Sequence, residues 1–235
     1  MAKLPRVTIL QLDPRCPAGS LEPWLKDAGV RLSQVTLWDR DVPPIASIGD
    51  GLVILGGRMS AHAASEHPWL LDLADLVADA HDIDLPILGI CLGHQVVADA
   101  LGGTVVVAHP DGPEEGAVAL ELLPAAADDP VLGGPSEPTD QGEVIVAQSH
   151  HDVVTELPPG AVELARTARY GNQAFRLGSS WGVQFHPEAT PELMDVWTQR
   201  SRDRKRAVAS VRDAKEAIEA SGRAIAQGFA QFVRG

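Results

Sequence analysis

The sequence predicts an α/β protein of three layers, with a mostly parallel central sheet, helices on both faces and additional antiparallel strands. Three observations point there. Short apolar runs alternate with segments of helical period through the first half, the pattern of βα units. Gly56-Gly57 and Cys91 stand just beyond apolar runs, where parallel sheets gather their functional loops. In the second half the strand-like runs are shorter, as expected of antiparallel additions.

Taken in order, Val7 to Leu12 reads as the first strand, Leu21 to Ala28 as a helix and Leu32 to Leu37 as a second strand. Leu52 to Leu55, a helix over Pro68 to Ala80, and a strand over Pro86 to Ile90 follow. Leu92, Val96, Val97 and Leu101 then recur at helical spacing. The later strands are expected at Thr104 to Val107, Val118 to Leu122, Val144 to Ala147, Val162 to Ala168, Gln173 to Arg176 and Trp181 to Gln184. Asp128 to Gln141, rich in Pro, Gly and Asp, reads as a loop and not as a domain linker, because the strands after it complete the same unit. All 235 residues are therefore expected to form one domain, with a helical segment from about residue 190. In that segment an apolar stripe of Val211, Ile218, Ile225, Phe229 and Phe232 is expected to pack against the domain, and the basic run Arg200 to Arg206 to form a solvated helix face.

With 45% hydrophobic and 22% charged residues, the chain has the composition of a globular protein. Its formal net charge of −13 argues against general binding to nucleic acid, which needs a basic face. Two cysteines give no disulfide framework, and a nucleophilic thiol suits a reducing compartment, so the expected location is cytoplasmic. The N-terminus lacks the apolar core of a secretory signal, and no apolar run is long enough to span a membrane. His150-His151-Asp152 has no further ligand-type residue at suitable spacing, so no metal is expected, and Gly102-Gly103 does not make a dinucleotide fingerprint, so no cofactor is expected either.

The candidate chemistry lies at Gly89-Ile90-Cys91-Leu92-Gly93. Cys91 falls where a buried strand turns into a helix, and so sharp a corner leaves little room beside it, hence glycine on both sides. The unpaired N–H groups and the positive dipole end of that helix favour thiolate over thiol. Cys16, in Pro14-Arg15-Cys16-Pro17, has neither feature and reads as incidental. A thiol nucleophile needs a base, and the base needs a group to orient it. His186 and Glu188 suit these roles: residues i and i+2 share a face of extended chain, and Pro187 biases His186 away from helix. A cysteine, a histidine, an acid and a glycine loop predict acyl transfer and leave the acyl donor open.

Four segments in order resemble the triad-type, or class I, glutamine amidotransferase domains. Gly89 to Gln95 is similar to that family's nucleophile motif and Val183 to Glu188 to its histidine and glutamate motif. Leu55 to Ser60 resembles its glycine loop, and Gln148 to Asp152 the Ser-His-x-Asp segment of its nucleotide-synthetase members. Pro113-Glu114-Glu115-Gly116 resembles a Glu-Gly turn of the family. The resemblance, covering roughly Val7 to Glu188, implies the flavodoxin-like class I glutamine amidotransferase fold and glutamine as the substrate. It further implies that Cys91 forms a γ-glutamyl thioester and releases ammonia, with His186 as base and then acid and Glu188 orienting it. The backbone N–H groups of Gly57 and Leu92 would form the oxyanion hole, Gln95 would contact bound glutamine, and the Ser149-His150 backbone would hold its α-amino and carboxylate ends. No fused synthetase domain or ATP-binding motif accompanies these segments, which implies a separate synthetase as the acceptor of ammonia. Two alternatives stay open: hydrolysis of γ-glutamyl peptides by the same triad, and a non-catalytic regulatory module.

Overall fold

The computed structural model describes residues 4–134 and 144–235. Its strands are β1 (Arg6–Gln11), β2 (Arg31–Thr36), β3 (Gly51–Ile54), β4 (Ile87–Ile90), β5 (Thr104–Val106), β6 (Glu114–Leu122), β7 (Val144–His150), β8 (Val153–Glu156), β9 (Val162–Arg166), β10 (Ala174–Leu177) and β11 (Ser180–Val183). Its α-helices are α1 (Leu21–Asp27), α2 (Trp69–Asp82), α3 (Leu92–Ala100), α4 (Pro191–Trp197), α5 (Arg204–Asp213) and α6 (Lys215–Arg234).

Nine strands form one sheet in the order β2-β1-β3-β4-β11-β10-β9-β6-β7. Pairing is parallel from β2 through β11 and antiparallel from β10 to β7. Alternation along the parallel strands divides the core in two, as period-2 geometry requires. Leu52, Ile54 and Ile87 face one way and pack with Leu73, Leu76, Val77, Val96 and Val97 of α2 and α3. Val53, Leu88 and Ile90 face the other way, against Leu21, Trp24 and Leu25 of α1 and Ile225 and Phe229 of α6. The expected three layers and mixed sheet are what the structure has.

The C-terminal stripe is divided between two helices, α5 and α6, which meet at Ala214. Val211 joins Ala147, Ala189, Met194 and Ile218 in a third core against β7, while Ile225 and Phe229 pack under the main sheet. In the basic run, Arg202, Lys205 and Arg206 are exposed, and Arg204 makes a two-pronged ion pair with Asp195 at 2.7 and 2.8 Å.

Some expectations need correction. Pro113 to Gly116 is no turn: β6 begins at Glu114, four residues before the expected Val118, and pairs Glu114 with His150. Gly116 has φ +98°, and a Cβ there would meet Ser210 Oγ of α5 at 2.5 Å, so the glycine serves strand and helix packing. β8 has no counterpart among the expected strands; it is four residues long and pairs with β5 in a separate two-stranded sheet. Of the loop expected over Asp128–Gln141, residues 128–134 form no helix or strand, and 135–141 lie outside the described residues. Among the described residues no helix is long and apolar enough to cross a membrane.

Candidate active site

Three neighbouring parallel strands deliver the site. In register, Ile54 of β3 pairs with Gly89 of β4, and Ile90 of β4 with Val183 of β11. Each strand then ends, so Gly56-Gly57, Cys91 and His186 emerge side by side at the same edge of the sheet. The Cys91 N–H donates to Val183 C=O at 2.9 Å, and the His186 N–H to Ala147 C=O at 2.8 Å, which ties the two loops to the sheet.

Cys91 has φ 53° and ψ −105°, a conformation a non-glycine residue adopts only when its surroundings force it, at a cost of order 1–3 kcal/mol. The glycines on either side explain how. A Cβ on Gly93 would stand 2.2 Å from the Ile54 carbonyl oxygen, and one on Gly89 would stand 2.5 Å from that of Gly93. Gly93→Ala is therefore expected to lower stability by at least ~1–3 kcal/mol through overpacking against backbone that cannot yield, read as a lower midpoint in urea unfolding.

His186 lies at the opposite wall. Its Nδ1 bonds Glu188 Oε1 at 2.7 Å, with both side chains buried, which leaves Nε2 as the nitrogen free to take a proton. Burial works against charge on the ring, yet attraction from the Glu188 carboxylate and the Cys91 sulfur more than offsets it, and the imidazole pKa is pushed up to about 10. Gly56 fills the corner between base and thiol: a Cβ there would lie 3.1 Å from His186 Cε1 and 3.9 Å from Cys91 Sγ. The structure thus brings Cys91, His186 and Glu188 together around one point.

Gly57 lines the same cavity as Cys91, and a Cβ on it would meet a side-chain carbon of Leu92 at 2.8 Å. Leu92 is the first residue of α3, so its N–H has no partner within the helix. The loop after Gly57 is pinned from below by a group that sequence reading missed. Asp13, buried at the end of β1, accepts from Arg58 Nε at 2.6 Å, Arg58 Nη2 at 3.1 Å and the backbone N–H groups of Arg58 and Arg15. Burial alone would raise the Asp13 pKa, but these hydrogen bonds hold its carboxyl below the usual range. Asp13 belongs to no motif and Arg58 only to the glycine-loop segment, so the fold alone reveals the pair.

The other expected contacts are placed more specifically than the sequence implied. Both hydrogens of the Gln95 amide are engaged, by Asp152 C=O and Gln184 Oε1, each at 3.1 Å, leaving its Oε1 as the group that remains to meet a ligand. Ser149 lines the cavity, its carbonyl 3.9 Å from Cys91 Sγ. The His150 ring is occupied on both sides: Nδ1 lies 3.1 Å from Asp152 C=O and Nε2 3.3 Å from Glu114, which also accepts from Thr167. Any hold that His150 has on a ligand therefore falls to its backbone. Cys16, expected to be incidental, is buried and lines the cavity too, but burial and the nearby Asp13 charge push its thiol pKa up, the reverse of what a nucleophile needs. His94, within the nucleophile segment, is fully buried against Phe175, and burial lowers its pKa to about 3, so it serves as a neutral packing group.

The cavity has a volume of ≈ 440 Å³, and Arg15, Arg58 and Arg200 stand at its rim. No group of three or more His, Cys, Asp or Glu side chains among the described residues is placed to hold a metal ion.

Fold and site define a class: α/β proteins that gather a thiol, an imidazole and a carboxylate at the C-terminal edge of a parallel sheet beside a glycine loop. The chain belongs to the class I glutamine amidotransferase family, whose description, Glutamine amidotransferase class-I, is matched over residues 19–199. It is similar to one subunit of the glutamine-hydrolyzing GMP synthase of Haloarcula marismortui, 36% identical over 70% of this chain and 76% of the relative. Among solved structures, a glutamine amido transferase from Methylobacillus flagellatus superposes with a TM-score of 0.81 at 27% identity, covering 99% of this chain and 95% of that one. A glutamine amidotransferase from Thermotoga maritima shares the fold, with a TM-score of 0.82 at 22% identity over 98% of this chain and 100% of that one.

Proposed function

We propose that this protein hydrolyses the side-chain amide of glutamine through a γ-glutamyl thioester on Cys91 and hands the ammonia to a separate synthetase. The carrying observation is the register of β3, β4 and β11, which leaves Gly57, Cys91 and His186 around one cavity with Glu188 behind the histidine. His186 Nε2 holds the proton that the thiol has given up, and the Cys91 thiolate attacks the amide carbon. The carbonyl oxygen becomes negative and is met by the N–H groups of Gly57 and Leu92. The C–N bond then breaks, His186 returns the proton to the departing ammonia, and water attacks the thioester with His186 again as base, releasing glutamate. Glu188 fixes the tautomer throughout. Gln95 Oε1, Ser149 and the His150 backbone hold the amino-acid end of the substrate.

The Haloarcula relative is one subunit of its synthase, which supports a separate acceptor enzyme, and the whole chain acts here as one catalytic domain suited to a reducing compartment such as the cytoplasm. The cavity favours one second reading, since ≈ 440 Å³ falls in the range that takes drug-sized ligands and leaves room for a γ-glutamyl peptide. Purified protein incubated in parallel with glutamine and with γ-glutamyl dipeptides separates them. Equal yields of ammonia and glutamate from glutamine are expected; cleavage of the dipeptides without ammonia from glutamine overturns the amidotransferase reading. Affinity capture of the tagged protein from its native cell is expected to bring down the synthetase.

A further inference from the structure

α4 places an aromatic ring over the base. Thr190 caps the helix, its hydroxyl accepting from the Leu193 N–H at 3.2 Å, Pro191 opens it, and Met194 is buried in the third core. At the other end the Thr198 hydroxyl donates to Met194 C=O at 2.6 Å. This fixes Trp197, the last helical residue, whose ring centroid lies 4.3 Å from that of His186 with the planes 32° apart. The indole N–H donates to Arg15 C=O at 2.8 Å, so the ring is held from the β1–α1 loop as well as from its own helix. Trp197 also lines the cavity with Cys91 and His186.

An imidazole that takes the thiol proton becomes a cation, and a cation over an indole face is attracted by the ring quadrupole, most strongly where water is excluded. From the geometry we propose that Trp197 is a positioning residue for the reaction: it fixes the His186 ring in the plane that faces Cys91 and stabilises that ring once it is charged. The inference rests on the Cys91–His186 pairing put forward above. The charged groups that face the imidazole are Glu188 from its own loop and Cys91 from the start of α3; Gly56, from the loop after β3, brings no charge, and Arg15, Arg58 and Arg200 stand at the rim. The π face acts in the same direction as Glu188 and Cys91, which already favour the protonated ring.

The test reads the two residues without requiring a partner enzyme. In a Cys16→Ser background, the rate of Cys91 alkylation by iodoacetamide is followed against pH for the parent, His186→Ala, Trp197→Leu and Trp197→Phe, with urea unfolding as the control for folding. Leucine keeps an apolar side chain without a π face, and phenylalanine keeps the face but loses the N–H donor. The acid limb of the profile, where thiolate first forms beside imidazolium, is expected to move to higher pH in Trp197→Leu, making alkylation on that limb about tenfold slower, and to return most of the way in Trp197→Phe. A Trp197→Leu profile superimposed on the parent, while His186→Ala is displaced, overturns the proposal and leaves the pairing standing. A Trp197→Phe profile matching Trp197→Leu also overturns the π-face role and assigns the effect to the tether on Arg15. If His186→Ala superimposes on the parent as well, the pairing itself fails and the proposal with it.

Discussion

Cys91→Ser protein is expected to fold as the parent does and to release ammonia from glutamine more slowly by a factor on the order of 10⁴ to 10⁶, the range over which loss of a nucleophile disables enzymes whose catalytic side chains act as a unit. Serine replaces sulfur by a smaller oxygen in a side chain that is 6% exposed, so the corner, its positive φ and its hydrogen bond to Val183 survive. The loss falls on the chemistry, because a hydroxyl ionises far less readily than a thiol and His186 is placed to receive a thiol proton. Coincident urea transitions for the two proteins, measured beside the ammonia assay, separate lost chemistry from lost structure. Turnover retained by the variant removes Cys91 from the mechanism.

His186→Ala is the second large effect. It removes the acceptor of the thiol proton and the donor to ammonia, and turnover is expected to fall on a similar scale of about 10⁴-fold or more. It also changes how stability depends on pH. Burial opposes the charged ring, but Glu188 and Cys91 raise its folded pKa from 6.5 to about 10, so folding is favoured by proton uptake. The stability contributed in this way is fully present below pH 6.5 and is lost as pH rises through the interval up to about 10. The gap in unfolding free energy between parent and His186→Ala is therefore expected to narrow over that interval. Urea unfolding at a series of pH values measures it, and a gap that widens with rising pH contradicts the charge assignment.

How much of this was legible beforehand depends on the range of the interactions involved. The Cys91 corner was, because its causes are local: the contacts of Gly89 and Gly93 permit no side chain, so the glycines stand in the sequence as the record of that crowding. His186 and Glu188 were legible for the same reason, two residues apart around a proline. The alternation of strands and helices disclosed the parallel half of the sheet, since burial on both faces writes apolar runs into each strand. The choice of glutamine came from resemblance and not from spacing.

What stayed hidden was set by contacts distant along the chain. The resemblance of Pro113 to Gly116 to a Glu-Gly turn of the family places Glu114 in a turn, whereas its pairing with His150 across the sheet makes it strand. β8 is short and, among the described residues, pairs with β5, some fifty residues earlier. Asp13 meets Arg58 across 45 residues, and Trp197 reaches His186 only because α4 turns back over the cavity. Cys16 was set aside for want of a local motif, although the β1–α1 loop carries it to the same cavity as Cys91. Supporting groups of this kind carry no signature of their own, since any residue type that fits the neighbour will serve.

The proposed function requires that Cys91, held beside His186 and Glu188, be the site of acylation. Mixing the protein with glutamine, quenching in acid within the first turnovers and mapping peptide masses tests this most directly. A γ-glutamyl group is expected on the peptide that contains Cys91, and none on that peptide from Cys91→Ser. Glutamine consumed with the adduct on another residue, or consumed undiminished by Cys91→Ser, would contradict it.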